Sequence, residues 1–156
     1  MREVKQQFCR LPPASLVGFT AAGGIARGAR LDIVIRPGQQ CAVSVIHDDD
    51  QSLTLGTLEG HPEAGRITFG SYQNAAGDVI FHIRSRARST TAMTRLGFMA
   101  IGDAMQTNTW TDFIRNAASL AGASISGVIH ADTETVDERP DDDEPLREPT
   151  FLATGG

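Results

Sequence analysis

The densest set of residues able to do chemistry is the run Leu55-Gly56-Thr57-Leu58-Glu59-Gly60-His61-Pro62-Glu63-Ala64-Gly65. A histidine beside carboxylates can act as a general base near neutral pH, because its ordinary pKa is about 6.5. His61 and Glu63 are therefore the candidate catalytic pair. A structural reading stands beside that one. Gly56, Gly60, Gly65 and Pro62 restrict the loop, His61 donates to a loop carbonyl, and Glu63 caps the turn. Arg84, Arg86 and Arg88 form a second candidate set at every other residue. On a strand they point the same way, with His82 beside them, and such a row can receive a carboxylate or phosphate through paired hydrogen bonds. The plainer alternative is a solvated face, or partners for Glu59 and Glu63. Trp110, with Phe113, reads as core at helical spacing. Where a helix covers a sheet, such core residues also line any ligand cavity.

Other chemistries find less support. His47, His61, His82 and His130 are dispersed, without HxxxH or HExxH spacing. Asp48-Asp49-Asp50 lacks the alternating ligands and terminal Glu of a calcium loop. Neither a metal nor a cofactor is expected. The Gly23-Gly24 and Gly28 stretch lacks the preceding strand and following helix of a phosphate loop, and no Ser nucleophile elbow is present.

The elements that must position these residues change period along the chain. Residues 1–29 read as irregular: Leu11-Pro12-Pro13 breaks any helix, the glycines after Ala22 read as loop, and Val17–Thr20 is at most a short strand or turn. From Arg30 the apolar residues alternate. Leu31, Ile33 and Ile35 form one strand, ended by Pro37-Gly38, and Cys41, Val43 and Val45 form the next. The aspartate run is a hairpin tip. Ser52–Thr57, Arg66–Gln73 and Val79–Ser85 follow as strands, the last two joined through Asn74-Ala75-Ala76-Gly77-Asp78. Val79, Phe81 and Ile83 lie opposite Ile80, His82 and Arg84. From Thr90 to Ala121 the apolar spacing becomes helical (Met93, Leu96, Ala100, Ala104, Trp110, Ile114, Ala117), with Gly97 and Gly102 as weak points and Gly122 as a stop. The expected fold is α+β: an antiparallel meander of about five strands packed around one long C-terminal helix, with residues 30–122 as the core.

A chain of 156 residues holds one core, and 40% hydrophobic with 21% charged residues is ordinary globular composition. No apolar run is long enough to span a membrane, and the first residues do not resemble a signal peptide. Cys9 and Cys41, far apart, read as two reduced thiols, which makes a cytoplasmic location the default. The net charge of −5 is uneven, since residues 132–148 hold nine Asp or Glu against Arg139 and Arg147. The remainder carries 12 basic and 10 acidic residues, a near-neutral body that argues against nucleic acid as partner. Residues 132–156 read as a disordered acidic tail whose protein partner is unknown.

The loop carries a resemblance as well. Gly56, Thr57, Leu58, Gly60, His61, Pro62, Glu63, Gly65 and Phe69 match the pattern Tyr-Gly-Thr-Leu-x-Gly-His-Pro-Glu-x-Gly-Glu-Glu-x-Phe of the bacterial and plant family called Domain of Unknown Function nineteen-ninety. The segment Val79–Arg88 and Gln106 are similar to downstream features of that family, so the resemblance spans about residues 30–118. Leu55 stands in place of the tyrosine and Arg66-Ile67 in place of two glutamates. Of a Phe-Ser-Arg-Pro element only Arg88 remains, and expected N-terminal tryptophans are missing, so the chain resembles a divergent member. More loosely, the family is similar to START-like, birch-allergen-like helix-grip proteins, which implies a sheet wrapped on a long helix and a hydrophobic ligand between them. The leading expectation is a noncatalytic module binding a small, partly apolar or acidic molecule in the sheet–helix groove, with Arg84, Arg86 or Arg88 at its mouth and Trp110 inside. The alternatives are a hydrolase- or isomerase-like enzyme using His61 and Glu63, and a protein-interaction module acting through the tail.

Overall fold

The computed structural model describes residues 1–89 and 103–132. Six strands run in chain order across one antiparallel sheet: β1 (Val17–Ala21), β2 (Arg30–Ile35), β3 (Gln39–Asp48), β4 (Ser52–Thr57), β5 (Glu63–Gln73) and β6 (Val79–Ser89). A short helix α1 (Arg2–Gln6) and a 3-10 turn (Phe8–Arg10) precede the sheet, and α2 (Asp103–Leu120) follows it.

Period-two alternation becomes burial on one side of the sheet. Leu31, Ile33, Val43, Val45, Leu53, Leu55 and Phe69 face inward and are buried, while Asp32 and Val34, their neighbours along β2, are exposed. The inner face is covered by two pieces that meet in an aromatic cluster. Phe8 packs edge-on to Phe19, Phe69 and Phe113 at ring-centroid distances of 5.7, 4.9 and 5.4 Å. Trp110 and Phe81 close the cluster against Phe69 and Phe113. Thr109, Phe113 and Ala117, the buried positions of α2 among the described residues, recur at steps of four, the spacing of one helical face. Asn116 Nδ2 donates to Leu11 O at 2.7 Å and fastens the helix to the N-terminal segment.

Residues 1–29 differ from the expectation of an irregular segment. They supply α1, the 3-10 turn and β1, and bury Val4, Phe8, Leu11 and Val17 in the core. Their helical pieces are too short to show a periodicity, so only tertiary contact identifies them. The helix begins, among the described residues, at Asp103, and residues 90–102 of the expected long helix lie outside those residues. Gly122 ends the helix as the sequence suggested: its φ is +64°, and its N–H bonds Ser119 O at 3.1 Å while Ala123 N–H bonds Ala118 O at 2.9 Å. The tail beyond Asp132 also lies outside the described residues.

The turns form as their chemistry dictates. Asn74 Oδ1 accepts the Ala76 and Asp78 amides at 3.0 and 2.9 Å, and Gly77 takes φ +90°. At the β3–β4 tip, Asp49 Oδ1 accepts the amides of Gln51 and Ser52 at 2.9 and 2.7 Å, and Asp48 pairs with Lys5 of α1. The aspartate run thus closes a hairpin and ties α1 to the sheet. A bulge between Val45 and His47 shifts the β3–β4 register there.

Candidate functional site

The signature run joins β4 to β5 as a tight loop. Leu58 N–H bonds Ala42 O, His61 N–H closes a turn onto Leu58 O at 3.1 Å, and Gly60 takes φ +86°, which favours glycine there. Thr57 Oγ1 accepts the Gly65 amide at 2.9 Å and donates to Gly65 O at 3.2 Å, bracing the two ends of the loop across the ladder. Strand β5 begins at Glu63, earlier than its sequence pattern indicates, because Glu63, Ala64 and Gly65 pair with Ser89, Arg88 and Ala87. Only glycine fits at 65, where an added Cβ would lie 2.2 Å from Arg86 O and 2.6 Å from Ala87 Cα.

His61 and Glu63 are brought together, through the main chain. His61 Nδ1 lies 2.9 Å from Glu63 O and 3.1 Å from Glu63 N. With the proton on Nε2 it accepts the Glu63 N–H; with the proton on Nδ1 it donates to Glu63 O. Burial lowers the His61 pKa below its ordinary value, partly opposed by the bond to the Glu63 backbone, so the ring is neutral at pH 7. Only the tautomer protonated at Nδ1 leaves a lone pair on Nε2 for base chemistry.

The loop stands at one end of the inner face of the sheet. The register places Cys41, Thr57, Gly65, Ile67, Ser85 and Ala87 on that face, in line with the buried Val43, Leu55 and Phe69. Cys41, Thr57, Gly65 and Ile67 are only half-buried, and Ser85 and Ala87 are exposed. Among the described residues the aromatic cluster therefore seals one end of the inner face and leaves the end beside His61 and Glu63 partly uncovered. The Cys41 thiol is pushed up by burial and by the nearby Glu63 charge, and the Cys9 thiol by burial, so neither is an activated nucleophile. Both cysteines are free.

Arg84, Arg86 and Arg88 do share a face, as their spacing requires. It is the outer face, because Phe81 and Ile83 of the opposite parity pack into the core. Trp110, half-buried against Phe69 at 5.8 Å, lies on the inner side. The arginines and Trp110 therefore do not line one groove, and the expectation of arginines at the mouth of a sheet–helix groove is corrected. Register adds a residue that sequence spacing missed: Arg66 sits directly across from Arg86. His82 lies over Gly70 beside Tyr72, and its pKa is lowered first by burial and then by Arg84. The side chain of Gln106 lies outside the described residues.

Two open depressions, of about 380 Å³ beside Phe8 and Gly24 and about 420 Å³ beside Thr111 and Val128, contain none of the candidate residues. Among the described residues no three His, Cys, Asp or Glu side chains converge as metal ligands, and no helix is long and apolar enough to cross a membrane.

The sequence model described as Domain of unknown function (DUF1990) matches residues 10–116, well over half of the chain, and the chain belongs to that family. The match takes in all six strands and most of α2, and begins at the last residue of the 3-10 turn. No curated protein and no solved structure matches the chain.

Proposed function

We propose that the domain binds a small, partly apolar molecule on the inner face of the sheet, between the His61 loop and α2. The observation that carries this reading is the uneven cover of that face. Ile67 stays half-buried and Ser85 exposed although they continue the row of fully buried Leu55, and Cys41 stays half-buried although it follows buried Val43 along β3. An apolar floor with a few polar groups at its edge suits a small ligand. Thr57, Ser85 and His61 Nε2 would supply the polar contacts, and Trp110 would bound the site on the helix side. The arginine row has no part in it.

Native mass spectrometry of the gently purified full chain, compared with the denatured mass, tests the proposal. A reproducible noncovalent adduct that disappears in Ile67→Trp, which fills the floor, is the expected result. A clean mass, together with unmoved resonances of Cys41, Ile67 and Ser85 on adding decanoate, overturns it. A second reading, a hydrolase- or isomerase-like enzyme, draws on the neutral His61 ring. Turnover of any discovered substrate that survives His61→Gln removes that reading.

A further inference from the structure

His61 is held in a way that leaves its second ring nitrogen able to change role. Nδ1 lies 2.9 Å from Glu63 O and 3.1 Å from Glu63 N, so it faces an acceptor and a donor of one residue at nearly equal range. A proton on Nδ1 gains the bond to the carbonyl and sets N–H against N–H. A proton on Nε2 gains the bond from the amide and sets a lone pair against the carbonyl oxygen. Each tautomer wins one contact and forfeits the other, so little separates them. His82 Nδ1 is a buried nitrogen without a partner, whereas His61 Nε2, also without a partner among the described residues, is not buried. Nε2 is therefore open, as a donor in one tautomer and an acceptor in the other.

The charge around this nitrogen is one-sided. Among the described residues, the inner positions of β3, β4, β5 and β6 at that end of the face carry one carboxylate, Glu63, and no Lys or Arg. The Cys41 thiol, pushed up first by burial and then by the Glu63 charge, registers the same field. An anionic ligand would give up hydration there without a counter-charge and would meet Glu63 as well. An ammonium gains little, because Glu63 is half-buried and already has interactions of its own. We infer that the ligand of the site proposed above is an uncharged molecule with an apolar body and a carbonyl or hydroxyl end, met by His61 Nε2 as donor or as acceptor. The inference rests on that reading of the site, with Ile67 and Cys41 under the apolar body.

Methyl octyl ketone, para-hexylphenol, decanoate and decylammonium, added in turn to the full chain, test the inference by nuclear magnetic resonance. The ketone only accepts and should draw the His61 proton to Nε2, while the phenol donates strongly and should draw it to Nδ1; the shifts of the two ring nitrogens read both populations. Both neutral probes should move Cys41, Ile67 and Ser85 and bind at least about tenfold more tightly than either charged probe. Decanoate should reach the same residues at correspondingly higher concentration. In His61→Phe the advantage of the neutral probes should fall several-fold, and the wild-type nitrogen shifts decide the matter if that variant does not fold. A charged probe that binds as tightly as the ketone overturns the inference and leaves the proposed site standing. So do His61 nitrogen shifts that stay put while Cys41, Ile67 and Ser85 move. If no probe moves those three residues, the inference falls together with the proposed site.

Discussion

Gly65→Ala is the sharpest probe of how the signature loop is held. A Cβ at residue 65 would sit 2.2 Å from Arg86 O, 2.6 Å from Ala87 Cα and 2.8 Å from Ala87 Cβ. Two of the three contacts are to main chain, so β5 and β6 must separate where Glu63–Gly65 pair with Ala87–Ser89. Overpacking of this kind costs about 1–3 kcal/mol, and displaced backbone places this case near about 3. The Gly65 amide bond to Thr57 Oγ1 is strained by the same movement. Adding Ala87→Gly removes only the 2.8 Å contact, so the double variant should recover less than half of the loss. Gly70→Ala is the control: the three atoms nearest its Cβ all belong to the imidazole of His82, the closest 2.5 Å away, and a side chain can swing aside for about 1 kcal/mol or less. Urea unfolding reads all three variants from the midpoint and slope. A loss at Gly65→Ala within about 0.5 kcal/mol, or equal to that of Gly70→Ala, would refute the close-approach argument.

Further outcomes follow from the same geometry. Phe113→Ala opens a cavity against Phe8, Phe69 and Phe81 and should cost about 3–5 kcal/mol in calorimetry or urea unfolding. Burial pushes the Asp49 carboxyl upward, but bonds from His47, Gln51 and Ser52 outweigh it and hold the group at about 2, below its ordinary 3.8. Its contribution is present above pH 3.8 and lost as pH falls toward 2, so Asp49→Ala should be less stable than wild type at pH 7 and converge with it in acid. His61 and His82 are both depressed below 6.5, so the unfolded chain takes up protons first and stability should fall as pH drops through 6.5. Proton resonances of the two rings should titrate with midpoints under 6.5; midpoints above it would contradict their burial.

Much of the sheet was legible because one face is wet and the other dry. Leu31 and Ile33, Leu53 and Leu55, and Phe81 and Ile83 announce their strands by alternation, and Asn74–Asp78 announces a hairpin. What stayed hidden depends on partners distant in sequence. Phe8 is buried by Phe69 and Phe113, and nothing in the sequence around Leu11-Pro12-Pro13 indicates it. Glu63–Gly65 are held in β5 by β6, against the glycine's weak strand preference. The arginines show both sides of the problem. Their spacing revealed a shared face, and the same parity set them opposite Phe81 and Ile83, hence away from α2. Arg66 joins them only through the β5–β6 register. The His61 loop was legible as a site of restriction, whereas the uncovered floor beneath it required knowing which rows the aromatic cluster reaches.

The bond from Asn116 to Leu11 joins residues 105 positions apart, while every strand pairs only with its neighbours in the chain. Neighbouring strands close small loops, so the meander can assemble hairpin by hairpin as the polypeptide leaves the ribosome. Phe8 emerges first and meets Phe113 last, after nearly the whole domain has been made. Throughout that interval Phe8 has only Phe19 and, once β5 is made, Phe69 to cover it, and the side that meets Phe113 stays wet. Early termination anywhere before α2 would thus release a sheet whose inner face keeps its N-terminal cover and lacks the half that Phe113 and Ala117 supply.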